Sequence, residues 1–294
     1  MKTLAFAIFL LSALFFPQLH VWAATGETEV PFAFEKGHII VAAKIRGNTP
    51  VEVELSTGTE HSLINELVLE KYKLKSSYTG DGIITGSSLD KIIIFVAVSD
   101  LQVGEVQAPT MFMRYGAQAT TQISQRTGRE VFAVLGADFF KGRVVQFDFR
   151  KKVVRFMKHA PNQVAPSANF TSLKMRPGSD PVQLPITEEV MVAGKKLKTL
   201  FDTGALTVVS LTPSGSKQVG LTAPTDKGPP RTDKLTSLRF GEIEFTDLPV
   251  TLHAKDSDFD RDSKGYVAVV GVAVLQNFIV TFDFAGGVIS LERI

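Results

Sequence analysis

Two stretches of the chain carry nearly the same strand-to-turn pattern, and only one of them contains a carboxylate. VEVELSTGTEHS (51–62) turns at Ser56-Thr57-Gly58, whereas LKTLFDTGALTVVS (197–210) turns at Asp202-Thr203-Gly204. A carboxylate held at a turn can take a proton from water, and a serine hydroxyl can hold that water or donate a hydrogen bond. We therefore interpret Asp202 and Ser56 as candidate functional residues in equivalent positions.

A second pair of landmarks follows the turns in the same order. VLGADFFKGRVVQFDFRKKVVRF (134–156) and VVGVAVLQNFIVTFDFAGGVISL (269–291) each contain a glycine followed by a strand with one aspartate. Gly136 matches Gly271 and Asp148 matches Asp283 at one constant offset. Because two ordered landmarks recur per copy, we infer two related halves. Both aspartates lie in Phe-Asp-Phe alternations, so we expect them on the solvent side of half-buried strands.

The pattern around these landmarks predicts an all-β protein. Short runs rich in Val, Ile and Phe alternate with Gly, Pro, Asn and Asp clusters, as in HIIVAAKI and KIIIFVAV. Hairpin turns are expected at Arg46–Pro50 and Val192–Lys196. Helices are predicted only at Ser62–Leu74 and, as a short one, around Gly136–Phe140. The Pro- and Ser-rich segment after Lys158 indicates a connection between the halves, in which TSLKM can add a strand.

The combination of these features resembles the aspartic peptidases. The strand that ends in apolar-Asp-Thr-Gly-small, followed by apolar-apolar-Gly and a hairpin, is most similar to the bacterial retropepsin-like branch, with two lobes on one chain as in pepsins. The resemblance implies a bilobal acid-protease fold whose two related barrel-like lobes enclose a peptide-binding cleft. The corresponding domains are a lobe at 30–158, a connection at 159–180 and a lobe at 181–294.

The resemblance also implies a role for each residue of the two turns. In this family one carboxylate from each lobe shares a proton, with one acting as base on water and the other as acid. Thr57 and Thr203 are expected to brace the turns against each other, with Gly58 and Gly204 allowing close backbone approach. A hairpin at 78–98 is expected to cover the cleft as a flap with its tip at Gly86, Ser87 and Ser88. The matching second-lobe segment is shorter and interrupted by proline, so a single main flap is expected. No metal or cofactor is needed.

The sequence departs from the family pattern at Ser56, which stands where the first aspartate is expected. Three hypotheses follow. The chain is a peptidase of low rate or narrow range that uses Asp202, or a catalytically inactive pseudoprotease that binds peptides or proteins. In the third, two chains associate through their second lobes and pair two Asp202 residues, although a monomer is the primary expectation.

Composition argues against several other classes of function. The formal net charge of the 294-residue chain is +2 with mixed signs, and no basic stripe suits nucleic acid. The absence of cysteine excludes disulfides and thiolate sites. The acidic segment KDSDFDRDSKG (255–265) lacks the glycine and glutamate of a calcium loop and is interpreted as solvated. Residues 1–23 have the pattern of a signal peptide, so we expect export to a bacterial periplasm or the extracellular space, with no membrane association after cleavage.

Overall fold

A computed structural model describes residues 27–65, 71–73, 95–115, 118–161, 165–177, 182–225, 229–263 and 265–294. The signal peptide predicted at 1–23 and the flap tip predicted at Gly86, Ser87 and Ser88 lie outside these residues. In the described part most residues are in strands, which bears out the all-β prediction. No helix in this part has both the length and the apolar character needed to cross a membrane.

The first half of the chain forms a closed six-stranded barrel. Its strands are β2 (His38–Ile45), β3 (Thr49–Leu55), β4 (Leu63–Ile64), β5 (Phe95–Val103), β6 (Val106–Tyr115) and β7 (Val131–Leu135). They pair in the order β2-β3-β7-β4-β6-β5, and pairing of β2 with β5 closes the barrel. Alternate side chains such as Val53, Leu55, Val98 and Met113 are fully buried, as expected for strands with one face toward a core.

The second half repeats this barrel. Its strands are β11 (Ile186–Val192), β12 (Lys195–Asp202), β13 (Val209–Leu211), β14 (Arg231–Phe240), β15 (Ile243–Leu252) and β16 (Ala268–Gly271). They close in the order β11-β12-β16-β13-β15-β14. The β12–β16 and β13–β15 pairs are parallel, as are β3–β7 and β4–β6 in the first barrel. The barrels therefore share strand order and strand direction.

An antiparallel sheet joins the two halves. Its strands are β1 (Thr28–Glu35), β8 (Val144–Asp148), β9 (Val153–Met157), β10 (Phe170–Lys174), β17 (Phe278–Asp283) and β18 (Val288–Arg293). They pair in the order β10-β18-β17-β8-β9-β1. The central β8–β17 pair has Gln146 opposite Thr281, two residues that correspond at the offset of the repeat. The halves are thus related by a local two-fold axis through this pair, and β10 begins the second set of nine strands.

Aromatic side chains of both halves pack against each other at this axis. Phe147 of β8 and Phe282 of β17 are fully buried, and their ring centroids lie 6.0 Å apart in an edge-on arrangement. Phe284 stacks on Phe282 and on Phe140. Burial of each phenylalanine contributes on the order of 1.5–3 kcal/mol, so this cluster is a main source of the attachment between the halves.

Five short helices with described bounds connect the strands in this part of the chain. They are α1 (Gln118–Thr127), α2 (Ala137–Phe140), α3 (Pro213–Gln218), α4 (Asp258–Asp262) and α5 (Val272–Leu275). Helices α2 and α5 follow the repeated glycines of the two halves. Helices α1 and α4 occupy matching connections, but α1 is twice as long as α4.

The structure agrees with several local predictions and differs from others. The turns at Arg46–Pro50 and Val192–Lys196 do connect antiparallel strands, and α2 and β10 form where a short helix and an added strand were expected. The helix predicted at Ser62–Leu74 is wrong at its start, because Leu63–Ile64 pair with β6 and β7 as a strand. The segment expected to be interrupted by proline is a regular β14–β15 hairpin from Arg231 onward.

The prediction of a solvent-facing aspartate is wrong for Asp148. Its side chain is buried, accepts a hydrogen bond from the Lys151 backbone amide and pairs with Arg155. Its counterpart Asp283 is half-buried and accepts from the amides of Ala285 and Gly286. Each carboxylate therefore stabilises the turn that follows its strand. The backbone amides of a turn lack sheet partners, and a short acidic side chain can accept their hydrogen bonds.

The repeated glycines are required by close backbone contacts. A Cβ placed on Gly136 would overlap the Thr59 carbonyl, and one placed on Gly271 would overlap the carbonyls of Ala205 and Thr207. Thr59 and Ala205 each lie three positions after the first residue of their turn. The glycine of each half therefore packs against the loop that leaves the turn of the same half.

We predict that Gly136→Ala and Gly271→Ala each lower the free energy of unfolding by about 1–3 kcal/mol, because backbone carbonyls cannot move aside as a flexible side chain can. Urea denaturation of the two variants beside the unaltered protein measures this. Unchanged midpoints in both variants would contradict the close packing.

Candidate functional site

The two turns meet where β3 and β12 end at the junction of the barrels. Ser56 directly follows the buried strand β3, and Asp202 is the last residue of β12. The end of β3 pairs in parallel with β7, where Leu55 lies beside Leu135. The end of β12 pairs in parallel with β16, where Asp202 lies beside Gly271. The sequence separates these turns by 146 positions, and the fold brings them into direct contact.

Thr57 and Thr203 lock the turns together through four symmetric hydrogen bonds. The Thr57 hydroxyl donates to the Phe201 carbonyl (2.9 Å) and accepts from the Thr203 amide (3.1 Å). The Thr203 hydroxyl donates to the Leu55 carbonyl (3.0 Å) and accepts from the Thr57 amide (3.0 Å). Both side chains are fully buried. This is the brace that the sequence predicts, and both hydroxyls use their donor and an acceptor in it.

Asp202 is held by donors from both halves. Its Oδ1 accepts hydrogen bonds from the amides of Gly204 (2.7 Å) and Gly58 (3.1 Å) and from the Ser56 hydroxyl (3.1 Å). Ser56 Oγ also lies 2.8 Å from Thr59 Oγ1. The carboxylate is therefore fixed at one oxygen, and Oδ2 takes part in none of these bonds.

The two turn glycines make this geometry possible. A Cβ on Gly58 would overlap the Asp202 carboxyl group, and a Cβ on Gly204 would overlap Ser56 Oγ. Each glycine thus lets the side chain of the opposite half lie against its backbone, and any larger residue would separate Asp202 from Ser56.

Opposing effects act on the ionisation of Asp202. Burial raises the pKa of its carboxyl group above the usual value, and the hydrogen bonds from Gly204, Gly58 and Ser56 oppose that rise. Burial is the larger effect. In addition, burial and the nearby charges of Asp202 and Asp262 raise the pKa of the Tyr266 hydroxyl.

A cavity of about 220 Å³ opens beside the carboxylate. Both halves and helix α1 line it. The lining residues are His38, Glu54, Ser56, Thr59, Leu63 and Val134 of the first barrel, Asp202, Gly204 and Leu206 of the second half, and Ala119, Gln122, Ile123 and Arg126 of α1. The four α1 residues lie at helical spacing on one face. The cavity therefore has an apolar part, a polar floor at the two turns and a cationic side chain, Arg126, on the helix.

A buried acid–imidazole pair in this cavity was missed by the sequence analysis. Glu54 Oε1 lies 2.6 Å from His38 Nδ1, and both side chains are almost completely buried. Burial raises the pKa of Glu54, interaction with His38 opposes the rise, and the charge of Asp202 adds to it. The signal that could have found the pair is VEVEL, which places glutamates in an otherwise apolar strand. Buried glutamates are rare unless paired.

The candidate flap-tip residues Gly86, Ser87 and Ser88 lie outside the described chain. In the described ranges no group of three or more His, Asp or Glu side chains is arranged to hold a metal ion. The acidic segment contains α4, where Asp258 pairs with Arg261.

Comparisons with known proteins add no family assignment: no protein-family model matches the chain, and no curated protein matches it.

We predict that Thr57→Val and Thr203→Val each destabilise the fold by about 2–3 kcal/mol. Valine keeps the side-chain shape but leaves a buried amide and a buried carbonyl of the opposite half without partners. Thr199→Val is the matched control, because among the described residues the buried Thr199 hydroxyl bonds only to the Leu197 carbonyl of its own strand. Equal losses of unfolding free energy in all three variants would contradict a special role for the brace.

We predict that Asp202→Asn is more stable than the unaltered protein at pH 7 and that the difference shrinks toward pH 4. Because burial raises the pKa of Asp202, the native state binds its proton more tightly than the unfolded chain, so ionisation removes stability as the pH rises. Asparagine stays neutral and keeps Oδ1 as an acceptor. Urea denaturation from pH 4 to 7 measures the difference, with Asp247→Asn, at an exposed position, as control. A difference that is constant with pH would contradict the prediction.

Proposed function

We propose that the chain is an exported, aspartic-peptidase-like protein that binds extended peptides at the junction of its two barrels and hydrolyses them slowly through Asp202. The main observation behind this proposal is the contact of Asp202 with Ser56, where two turns related by a local two-fold axis meet. The repeated barrels, the threonine brace and the cavity beside Asp202 support an acid-protease relationship.

In the proposed reaction, ionised Asp202 acts as the base. Its Oδ2, which accepts none of the hydrogen bonds described for Oδ1, takes a proton from a water molecule that attacks the peptide carbonyl carbon. The Ser56 hydroxyl orients that water. Serine is too weak an acid to protonate the carbonyl oxygen, and loss of one general acid typically lowers a rate by about 10²–10⁴-fold.

A second candidate function is peptide or protein binding without chemistry. The observation that favours it is the Ser56 hydroxyl, which fills the position opposite Asp202 and donates to it where a second carboxylate is expected. Pairing of two chains through Asp202 is less favoured. In the single chain the brace and Ser56 already occupy that face, so the halves would have to separate.

We predict that the mature protein cleaves members of a mixed peptide library between pH 3 and 7 and that Asp202→Asn reduces cleavage at least about 10²-fold. Ser56→Asp is expected to raise the rate by a similar factor, because two close carboxyl groups share one proton. Cleavage is followed by mass spectrometry, with Asp247→Asn as the control for an exposed carboxylate.

The outcomes separate the two functions. Cleavage by the unaltered protein that survives in Asp202→Asn would refute the assigned base. Cleavage by Ser56→Asp alone would refute slow hydrolysis and favour the binding function.

A further inference from the structure

A second carboxyl group borders the same cavity as Asp202. Glu54 is on β3, two positions before Ser56, which directly follows the strand. The alternation of strand side chains is consistent with both residues lining the cavity. This two-position displacement is about 7 Å along the strand, and a glutamate side chain is one methylene longer than an aspartate. Both Glu54 and Asp202 line the cavity.

His38 holds Glu54 in place and leaves part of the carboxyl group available. Only Oε1 of Glu54 is bonded to His38 Nδ1. The Nε2 atom of His38 is buried and has no hydrogen-bond partner among the described residues. Ser56 bonds to Thr59 and Asp202 and not to this imidazole, so the arrangement does not activate the serine as a nucleophile.

The surroundings of the two carboxyl groups differ, although burial raises the pKa of both. Hydrogen bonds from Gly204, Gly58 and Ser56 oppose that rise at Asp202. His38 opposes it at Glu54, and the charge of Asp202 adds to it there. The other ionisable groups around them are His38 on β2, Arg126 on α1 and Tyr266 before β16. Ionised Asp202 therefore disfavours ionisation of Glu54, and the proposal takes Asp202 as the ionised member of the pair and Glu54 as the protonated one.

We infer that Glu54 is the carboxyl partner of Asp202, displaced two positions along β3 from the turn position that Ser56 occupies. The inference rests on the proposed function for its chemistry and on the shared cavity for its geometry. It restores a pair of carboxyl groups, one ionised and one protonated, without a carboxylate at position 56.

The proton balance of the hydrolysis is then complete. Water adds to the carbonyl carbon as its proton moves to Asp202, while Glu54 gives its proton to the carbonyl oxygen. When the C–N bond breaks, Asp202 returns its proton to the leaving nitrogen. Glu54 regains a proton from one hydroxyl of the tetrahedral intermediate as the product carboxyl group forms, so both groups end in their starting states.

The first test requires no cleavage. The ¹³C-labelled carboxyl groups of glutamate and aspartate are titrated by NMR in the full chain, in Asp202→Asn and in Glu54→Gln. We expect the Glu54 resonance to titrate above the usual glutamate range and to move to lower pH in Asp202→Asn. A Glu54 titration that is the same in both proteins would overturn the inference.

The second test is kinetic and uses Glu52→Gln as the matched control. Glu52 lies two positions earlier on β3 but pairs with Arg129 outside the cavity. We expect Glu54→Gln to lower the rate of peptide cleavage by about 10²-fold or more and to remove the alkaline limb of the pH profile, with Glu52→Gln unchanged. Adding Ser56→Asp to Glu54→Gln should restore cleavage, which also excludes misfolding as the cause.

The outcomes distinguish the two proposals. Coupled titration in a protein that cleaves no peptide would support the carboxyl pair and refute the hydrolytic function. Cleavage that depends on Asp202 and is unaffected by Glu54→Gln would support the function and overturn the role of Glu54.

Discussion

The four hydrogen bonds between Thr57 and Thr203 are the constraint on which the geometry of the site depends. They join two loops that are far apart in sequence, and each hydroxyl satisfies a buried amide and a buried carbonyl of the opposite half. Because unsatisfied buried backbone groups are costly, the turns have one low-energy arrangement. That arrangement brings Ser56 to Asp202, aligns the ends of β3 and β12 and opens the cavity toward α1. The Phe147–Phe282 contact in the joining sheet also holds the two halves together.

This brace does not involve the side chains at positions 56 and 202. Its atoms belong to the backbone and to the two threonines, so the residue that precedes each threonine can change with little effect on the fold. Ser56 adds hydrogen bonds to Thr59 and Asp202 but satisfies no group of the brace. The architecture and the chemistry of the site are therefore largely independent. A two-barrel scaffold with an intact junction is compatible with two carboxylates, with one, or with a carboxyl group supplied from a neighbouring position.

The sequence was informative wherever a structural requirement falls on a few adjacent residues. The turn triplets, the repeated glycines and the Phe-Asp-Phe strands predicted two related β halves and the brace, because each depends on local geometry that only certain residues allow. Helix α1 was missed because QATTQISQRT has few strong helix formers, and its formation depends on packing against the barrel. The burial of Asp148 was missed because alternation assigns one face to solvent, whereas the Asp148 carboxylate is held by the Lys151 amide and by Arg155. The His38–Glu54 pair joins two strands, so no single stretch of sequence contains it.

Two departures from two-fold symmetry among the described residues lie beside the cavity. Helix α1 is twice as long as its counterpart α4, and its inner face covers the cavity beside the first barrel. The buried acid–imidazole pair also belongs to that barrel, whereas the carboxylate fixed by the turns belongs to the second. In the proposed pair, Glu54 lies beside His38 and Asp202 is held by the turns. Such unlike surroundings are how a site keeps one carboxyl group protonated and the other ionised. In a symmetric site this difference arises only from sharing a proton, whereas under the proposal the unlike surroundings of Glu54 and Asp202 create it in advance.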